Sequence, residues 1–230
     1  MAMHLKLGHA SPATMTKLGF LPPRAPCRVC IQSKQRKTSF RRSSRRASRI
    51  LEVIHSDIVY SMIASPAGYL YVMLIVDDYS RYTWPLFLKQ RSDALSAFRT
   101  WKRTWEKKLN TTVLEFHADR AGEFSSNPDG SATKFISFLE EEGVTYQLAP
   151  TETPQQNGRA ESAIYGLKRI ARTLLASSNL PMIFWSHAFL HATHLKNRFP
   201  HRSLPSSKTP YEFLYGSCPD YSKLRNRKDA

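Results

Sequence analysis

The sequence predicts an α/β fold in which helices pack on a mixed five-stranded sheet, with a small separate module in front of it. One observation is the order of hydrophobic patterns after residue 50, which alternates strand-like and helical segments as β-β-β-α-β-α-β-α. A second is a pair of histidines and a pair of cysteines near the N-terminus. A third is the charge, which separates a basic N-terminal arm from the rest of the chain.

Lysine and arginine are concentrated at the start of the chain. The 230 residues have a formal net charge of +16, and the first 50 contain 12 Lys or Arg and no acid. This asymmetry favours a polyanionic partner, most simply nucleic acid. A solubilising tail and a nuclear import signal are the alternatives.

Cysteine usage and hydropathy indicate the cellular compartment of the protein. Three cysteines, two of them close together, are too few for a disulfide framework and indicate a reducing environment. The longest obvious apolar run, residues 70–76, is far shorter than the ~20 residues that span a bilayer. Residues 1–10 have no signal-like core. We therefore expect a soluble, intracellular protein without a membrane partner.

The N-terminal module contains His4 and His9 with four residues between them, and Cys27 and Cys30 with two. Two imidazoles and two thiolates are the ligands of a closed, tetrahedral Zn²⁺ site. A segment of this size with few large apolar side chains needs such a staple to fold. The spacing predicts a zinc-binding module over residues 1–33; the alternative is an unstructured basic leader.

The next segment, residues 34–49, reads KQRKTSFRRSSRRASR. Basic residues alternate with serine and no apolar period recurs, so it predicts a flexible linker. Its arginines can contact phosphates by counterion release, or the segment can be a solvated spacer. The two interpretations are compatible.

Short apolar segments predict the strands, and longer amphipathic ones predict the helices between them. Short connections, one of them a DDYSR turn, join the first three strands into a predicted meander. The predicted elements are strands at 51–60, 69–79 and 82–88, a helix at 92–109, a strand at 113–119, a helix at 135–143 and a strand at 144–150. The aromatics of the 92–109 helix are more typical of a core than of a ligand site.

A loop and then a helix follow, in the stretch TPQQNGRAESAIYGLKRIAR from Thr153. Pro154 and Gly158 favour the loop, and the helix is predicted to start at residues 157–159. Its apolar side is formed by Ala160, Ile164, Leu167, Ala171 and Leu174, and the adjacent stripe by Glu161, Tyr165, Lys168 and Arg172. An amphipathic surface helix whose early glutamate complements the helix dipole is the simpler alternative.

Three acids are placed so that they can converge at one end of the sheet. Asp57 and Asp119 are each predicted at the C-terminal end of an apolar strand, and Glu161 opens the helix after the last strand. Clustered carboxylates repel one another unless cations lie between them, and Mg²⁺ prefers oxygen ligands. Two such ions support in-line displacement at a phosphodiester. Lys168 and Arg172 would then face a phosphate backbone.

The residues around these acids carry a resemblance. The chain resembles the integrases of copia-type LTR retrotransposons, which are relatives of retroviral integrases. The resemblance is carried, in this order, by the paired histidines and cysteines and by the segments HSD, HADRAGEF and TPQQNGRAE. Further similar segments are GHAS near His9, VDDYSRYTWPLFLK from Val76, FWSHAF and LKNR after Pro181, and TPYEFLYG from Thr209. The resemblance covers nearly the whole chain and implies part of a Gag-Pol polyprotein.

The resemblance implies an RNase H-like catalytic core over residues 50–200, followed from 201 to 230 by the start of a truncated C-terminal extension. It implies zinc ligation by His4, His9, Cys27 and Cys30, and Mg²⁺ or Mn²⁺ binding and catalysis by Asp57, Asp119 and Glu161. It also implies DNA contacts by Asn157, Gly158 and Lys168.

The implied reaction transfers a DNA 3′ hydroxyl onto a target phosphodiester. It requires an oligomer, because two donor ends must be joined together. The expected partners are element and target DNA, with RNA as a further candidate, and the expected site of action is the nucleus, after a stage in cytoplasmic particles. Two alternatives are an inactive zinc-bearing nucleic-acid-binding remnant and an RNase H-like nuclease that only hydrolyses.

Several further side chains are assigned ordinary roles. Asp77 and Asp78 are explained by the DDYSR turn, and Glu123 is left outside the metal-binding set. The histidines on one face of the helix after Pro181 are interpreted as surface residues: His187, His191 and His194. Cys218 is interpreted as an ordinary thiol.

Overall fold

The computed structural model describes residues 2–33, 46–119, 124, 131–149 and 158–222. The chain forms two units, Met1–Arg42 and Ser43–Ala230. Glu123, Asn157 and residues 34–45 of the predicted linker lie outside the described residues. Residues 46–49 belong to the larger unit, where Ala47 is buried and Arg46 donates a hydrogen bond to the Tyr79 carbonyl at 2.9 Å, so the prediction of a flexible linker is wrong for these four residues. The predicted domain bounds at 33, 49 and 200 stay predictions. Within the described residues no helix is both long and apolar enough to cross a membrane.

The smaller unit contains three short helices, α1 (Ala2–Lys6), α2 (Pro12–Lys17) and α3 (Arg28–Ser33). Ser11 caps α2 by accepting a hydrogen bond from the Thr14 backbone N–H at 3.1 Å. Among residues 2–30, Met15 and Cys27 are the buried apolar side chains. So small a buried apolar surface leaves the unit dependent on other interactions for its stability.

A mixed five-stranded sheet forms the centre of the larger unit, as predicted. Its strands are β1 (Val53–Tyr60), β2 (Tyr71–Asp77), β3 (Thr83–Leu88), β4 (Glu115–Asp119) and β5 (Thr145–Ala149), in the order β3-β2-β1-β4-β5. The pairs β1–β2 and β2–β3 are antiparallel, which confirms the meander. The pairs β1–β4 and β4–β5 are parallel.

In the described part of the larger unit, five α-helices accompany the sheet: α4 (Ala94–Leu109), α5 (Lys134–Glu141), α6 (Gly158–Ser178), α7 (Trp185–Lys196) and α8 (Pro210–Tyr215). Side chains of α4 and α5 pack with Met73 and Ile75 in one apolar cluster. Side chains of α6 and α7 pack with Val72, Leu74 and Val76 in a second. Since successive residues of a strand point to opposite faces, helices cover β2 on both sides.

The chain after α7 also contributes to the larger unit. The Asn197 side chain accepts a hydrogen bond from the Thr83 backbone N–H and donates one to the Thr83 carbonyl, both at 2.9 Å. Thr209 and Glu212 form a capping box at the start of α8, and Leu214 lies in the first apolar cluster. Residues 201–222 therefore pack with the predicted core.

Phe98 on α4 is fully buried at the centre of the first cluster, with its ring 5.1 Å from Phe135 and 5.3 Å from Phe116. We expect Phe98→Ala to lower the free energy of unfolding by about 3–5 kcal/mol, because it leaves a cavity between α4, α5 and the sheet. Urea denaturation measures the change. Met62→Ala, at a side chain 90% exposed, is the control and should change stability by less than about 0.5 kcal/mol.

Candidate active site

Parallel pairing of β1 with β4 brings two of the predicted acids together. Ile54 lies opposite Phe116 and His55 opposite His117. Two residues further along the same register, Asp57 lies beside Asp119. Both acids fall on the sheet face covered by α6, because the alternate residues Ile54 and Phe116 pack into the cluster on the other face.

The predicted position of Asp57 at the C-terminal end of its strand is wrong. β1 continues to Tyr60, because residues 58–60 keep their antiparallel pairing with β2 beyond the last pair with β4. Asp57 is therefore half-buried within β1, at the point where the neighbouring strand ends. Asp119 is the last residue of β4, as predicted.

Glu161 reaches the same region from the first turn of α6. The helix begins at Gly158, within the predicted range. Ala160, Ile164 and Leu167 are buried, and the last two pack in the cluster shared with β2. This apolar face fixes α6 on the sheet and leaves Glu161 exposed on the adjacent stripe.

The charges of the three acids act on one another. Burial raises the pKa of Asp57 to about 6, with further contributions from the negative charges of Asp119 and Glu161. A hydrogen bond from the Ile58 backbone and the positive charge of Lys168 oppose this rise. Burial and the charge of Asp119 also raise the pKa of Glu161. Three carboxylates thus lie within electrostatic reach of one another, an arrangement that a divalent cation would stabilise.

The predicted DNA-contacting residues lie on the same helix. Gly158 is its first residue, and nothing lies within 4 Å of the position that a Cβ there would take. Lys168 is half-buried, and Arg172 is exposed one turn further along. Asn157 belongs to residues 150–157, outside the part of the chain that is described.

Asp77 and Asp78 form the buried base of the β2–β3 turn, which confirms the structural role predicted for them. Asp77 accepts hydrogen bonds from the backbone N–H groups of Ser80 at 2.7 Å and Leu51 at 2.9 Å. Asp78 accepts one from Arg81 at 2.8 Å. The side chains interpreted as surface histidines or as an ordinary thiol are all exposed: His187, His191, His194 and Cys218.

Sequence reasoning missed three side chains that are close to the acids along the chain and that contact one another or Asp78 in the structure. His55, His117 and Arg159 each precede one acid by two residues. Burial lowers the pKa of His55 and of His117, so both rings are neutral at pH 7. The spacing shared by HSD, HAD and RAE is the signal that could have revealed them.

The smaller unit brings its paired residues into one cluster. One ligand atom from each of His4, His9, Cys27 and Cys30 lies within 4.8 Å of the others. Cys30 Sγ is 3.3 Å from His4 Nε2, and Cys27 Sγ is 3.4 Å from His9 Nδ1. His4 Nδ1 is 3.1 Å from the Ala10 carbonyl oxygen. If Nδ1 carries the proton and donates this hydrogen bond, Nε2 is unprotonated and can bind a metal. Metal-binding histidines usually have this arrangement.

Several of these separations are close to those of a zinc site. Ligand atoms at the corners of a Zn²⁺ tetrahedron with bonds of about 2.0–2.3 Å are roughly 3.3–3.8 Å apart. The sulfur–nitrogen separations of 3.3 and 3.4 Å lie at the lower end of this range. The 3.1 Å between His9 Nδ1 and His4 Nε2 lies just below it, and the four atoms together spread over up to 4.8 Å.

Comparison with known proteins places the chain in a family. An integrase core domain model matches residues 47–154. The chain is 32% identical over 231 residues to the retrovirus-related Pol polyprotein from transposon RE1 of Arabidopsis thaliana, an alignment that covers 96% of this chain and 15% of the polyprotein. It is 30% identical over 176 residues to the corresponding polyprotein from transposon TNT 1-94 of Nicotiana tabacum, covering 76% of this chain and 13% of the relative.

Solved structures agree on the fold. The HTLV-2 integrase catalytic core domain, in complex with magnesium, matches with a TM-score of 0.52 at 18% identity, over 74% of this chain and 100% of that one. The chain also matches a chain of the simian T-cell lymphotropic virus intasome, solved in complex with PP2A regulatory subunit B56 gamma. That match has a TM-score of 0.60 at 16% identity and covers 98% of this chain and 79% of that one. The chain therefore belongs to the integrases of copia-type retrotransposon Pol polyproteins, with an RNase H-like core.

Proposed function

We propose that this chain is the integrase of its element and joins the 3′ ends of element DNA to target DNA by metal-dependent transesterification. The observation that carries the proposal is the convergence of Asp57, Asp119 and Glu161: the negative charge of Asp119 raises the pKa of both Asp57 and Glu161. The relatives support it, since they are Pol polyproteins of transposons. Nothing in the described residues favours an inactive remnant.

The three carboxylates would hold Mg²⁺ or Mn²⁺. When bound, two such ions activate the attacking oxygen and stabilise the leaving oxygen of a phosphodiester. The HTLV-2 core was solved with magnesium, which supports this choice of ion. The raised pKa of Asp57, about 6, still leaves this carboxylate mostly ionised and able to bind metal at pH 7.

Besides holding the metal ions, the protein would have to position the DNA. The reaction exchanges one phosphodiester bond for another, so its rate depends on holding the 3′ hydroxyl in line with the target phosphate. Lys168 and Arg172 would bind the phosphate backbone along α6, beside the loop residues Asn157 and Gly158. The basic residues between 34 and 45 would add sequence-independent phosphate contacts, whereas Arg46 and Arg49 donate hydrogen bonds to backbone carbonyls of the larger unit.

Assembly and location follow from the same proposal. Two donor ends must be joined together, so the active form would be an oligomer, and a relative of similar fold was solved as an intasome. Action on chromosomal DNA would take place in the nucleus. RNA binding by the basic arm stays a prediction.

We further propose that His4, His9, Cys27 and Cys30 bind one Zn²⁺. Their spacing and the contact of His4 with the Ala10 carbonyl support this ligand set. Metal binding would supply folding free energy that the few buried apolar side chains of this unit do not.

Asp57→Asn and Glu161→Gln test the catalytic proposal. On a branched DNA that mimics a joined product, with Mn²⁺ present, we expect each to lower the rate by more than about a hundred-fold, because the metal loses a charged ligand. DNA affinity should change by less than about two-fold. Glu141→Gln, at an exposed acid on α5, should keep full activity. Folded wild-type protein that binds this DNA without reacting would refute the proposal.

Asp57→Asn should also stabilise the metal-free protein. The pKa of Asp57 is raised to about 6 in the folded state, so its ionisation opposes folding as the pH rises from 4 to above 6. At pH 7 we expect a gain of about 1–2 kcal/mol, after allowing for solvent screening. At pH 4 the gain should vanish. Urea denaturation in EDTA at both pH values measures it, and an equal effect at the two values would contradict the electrostatic cause.

Cys27→Ser tests the zinc proposal. We expect the purified wild type to contain one zinc per chain and the variant to lose it, because a thiolate ligand is removed. The variant should then be cleaved by protease within residues 2–33, while the larger unit stays resistant. Cys218→Ser, at an exposed thiol of the larger unit, is the matched control. A digestion pattern that does not respond to zinc removal would count against the site.

A further inference from the structure

Each of the three acids is preceded, two positions earlier, by a side chain of one continuous network. On a strand, residues two apart point to the same face, so His55 lies beside Asp57 and His117 beside Asp119. On a helix, two residues correspond to a rotation of about 200°. Arg159 and Glu161 therefore leave α6 in nearly opposite directions.

The network is joined by direct contacts. The rings of His55 and His117 meet edge to face, with centroids 5.0 Å apart and an interplanar angle of 88°. His55 Nε2 lies 3.3 Å from Asp78 Oδ1 and 3.4 Å from Arg159 Nη1. Arg159 forms an ion pair with the same Asp78 oxygen. The network thus runs from β4 through β1 to the turn after β2, and from there to the first turn of α6.

Asp78 is the centre of this network. Its side chain is only 1% exposed, and it also accepts hydrogen bonds from Arg81 at 2.8 Å and from the Ala47 backbone N–H at 2.9 Å. A buried carboxylate is stable only while its charged partners remain. Asp78 therefore fixes the positions of Arg159 and His55 relative to the β2–β3 turn.

The packing of α6 on the sheet does not by itself fix the position of Glu161. Its apolar side chains, among them Ile164 and Leu167, pack by non-directional burial, which tolerates small rotations and shifts of the helix. Hydrogen bonds to a charged group restrict distance and angle. A metal-binding constellation must be held to within roughly 0.5 Å. The contact of Arg159 with Asp78 restricts the turn that carries Glu161.

We propose that Asp78, through Arg159 and His55, is a positioning device that sets Glu161 relative to Asp57 and Asp119. The inference rests on the proposed function, since it assigns the role of these residues in the same metal site. Arg159, His55 and Asp78 are positioning residues here and do not touch the reacting atoms. The competing role for Arg159 is direct contact with a DNA phosphate.

The test compares Arg159→Gln, Arg159→Lys and the control Arg103→Gln, which removes an exposed arginine of α4. Each variant is titrated with Mn²⁺ without DNA, by electron paramagnetic resonance, and then assayed on the branched DNA. We expect Arg159→Gln to weaken Mn²⁺ binding and lower kcat by about 10–100-fold each, with KM for DNA and its salt dependence unchanged. Arg159→Lys should recover part of both losses, because it keeps the charge opposite Asp78. Arg103→Gln should behave as the wild type.

Asp57→Asn in the same Mn²⁺ titration separates the inference from the function on which it rests. If Asp57→Asn leaves Mn²⁺ binding unchanged, the proposed catalytic site is wrong. If Asp57→Asn abolishes binding but Arg159→Gln does not weaken it, only the positioning role is overturned. A raised KM and a flatter salt dependence in Arg159→Gln, with normal Mn²⁺ affinity, would assign Arg159 to DNA contact instead.

Discussion

Parallel pairing of β1 with β4 is the constraint on which the rest of the larger unit depends. Two parallel strands cannot be joined by a tight turn, so the chain between them forms the meander and α4 before it returns. The return places Asp119 beside Asp57 on one face and Phe116 against α4 on the other. The same pairing therefore builds the core on one side of the sheet and the candidate site on the opposite side.

The site concentrates negative charge where burial already opposes it. Burial and mutual repulsion raise the pKa values of Asp57 and Glu161, which means that folding works against ionisation at these positions. Lys168 relieves part of this cost for Asp57. A divalent cation would relieve much more, so the metal-free arrangement is one that binding would stabilise. Under the proposed function, the metal-free protein would give up stability at this site in exchange for activity.

The two units reach stability by different means. The larger one buries apolar clusters on both faces of its sheet, and its buried carboxylates are satisfied by arginine and by backbone N–H groups. Among residues 2–30 the smaller one buries few apolar side chains, and it gathers two histidines and two cysteines that could hold a metal ion. In a unit of this size, a metal can replace the core that the chain is too short to form.

The sequence alone determined the type and order of the elements from β1 to α6, the meander, and the pairs of histidines and cysteines that come together, because periodicity and short spacings are local properties. It also placed the start of α6 and the exposure of Glu161 correctly. It placed Asp57 at the C-terminal end of the 51–60 strand, although β1 continues to Tyr60. The strand that ends beside Asp57 is β4, and this depends on the register between β1 and β4, which local hydrophobicity does not encode.

Only the tertiary structure revealed the partners of Asp78. From the sequence this residue belongs to a turn, which it does, but its partners His55 and Arg159 are distant along the chain. The register between strands and the docking of α6 bring those three side chains together, and both depend on long-range packing. Local pattern and the resemblance therefore pointed to the acids of the candidate site, while the contacts that join Asp78 to His55 and Arg159 could be found only from the folded chain.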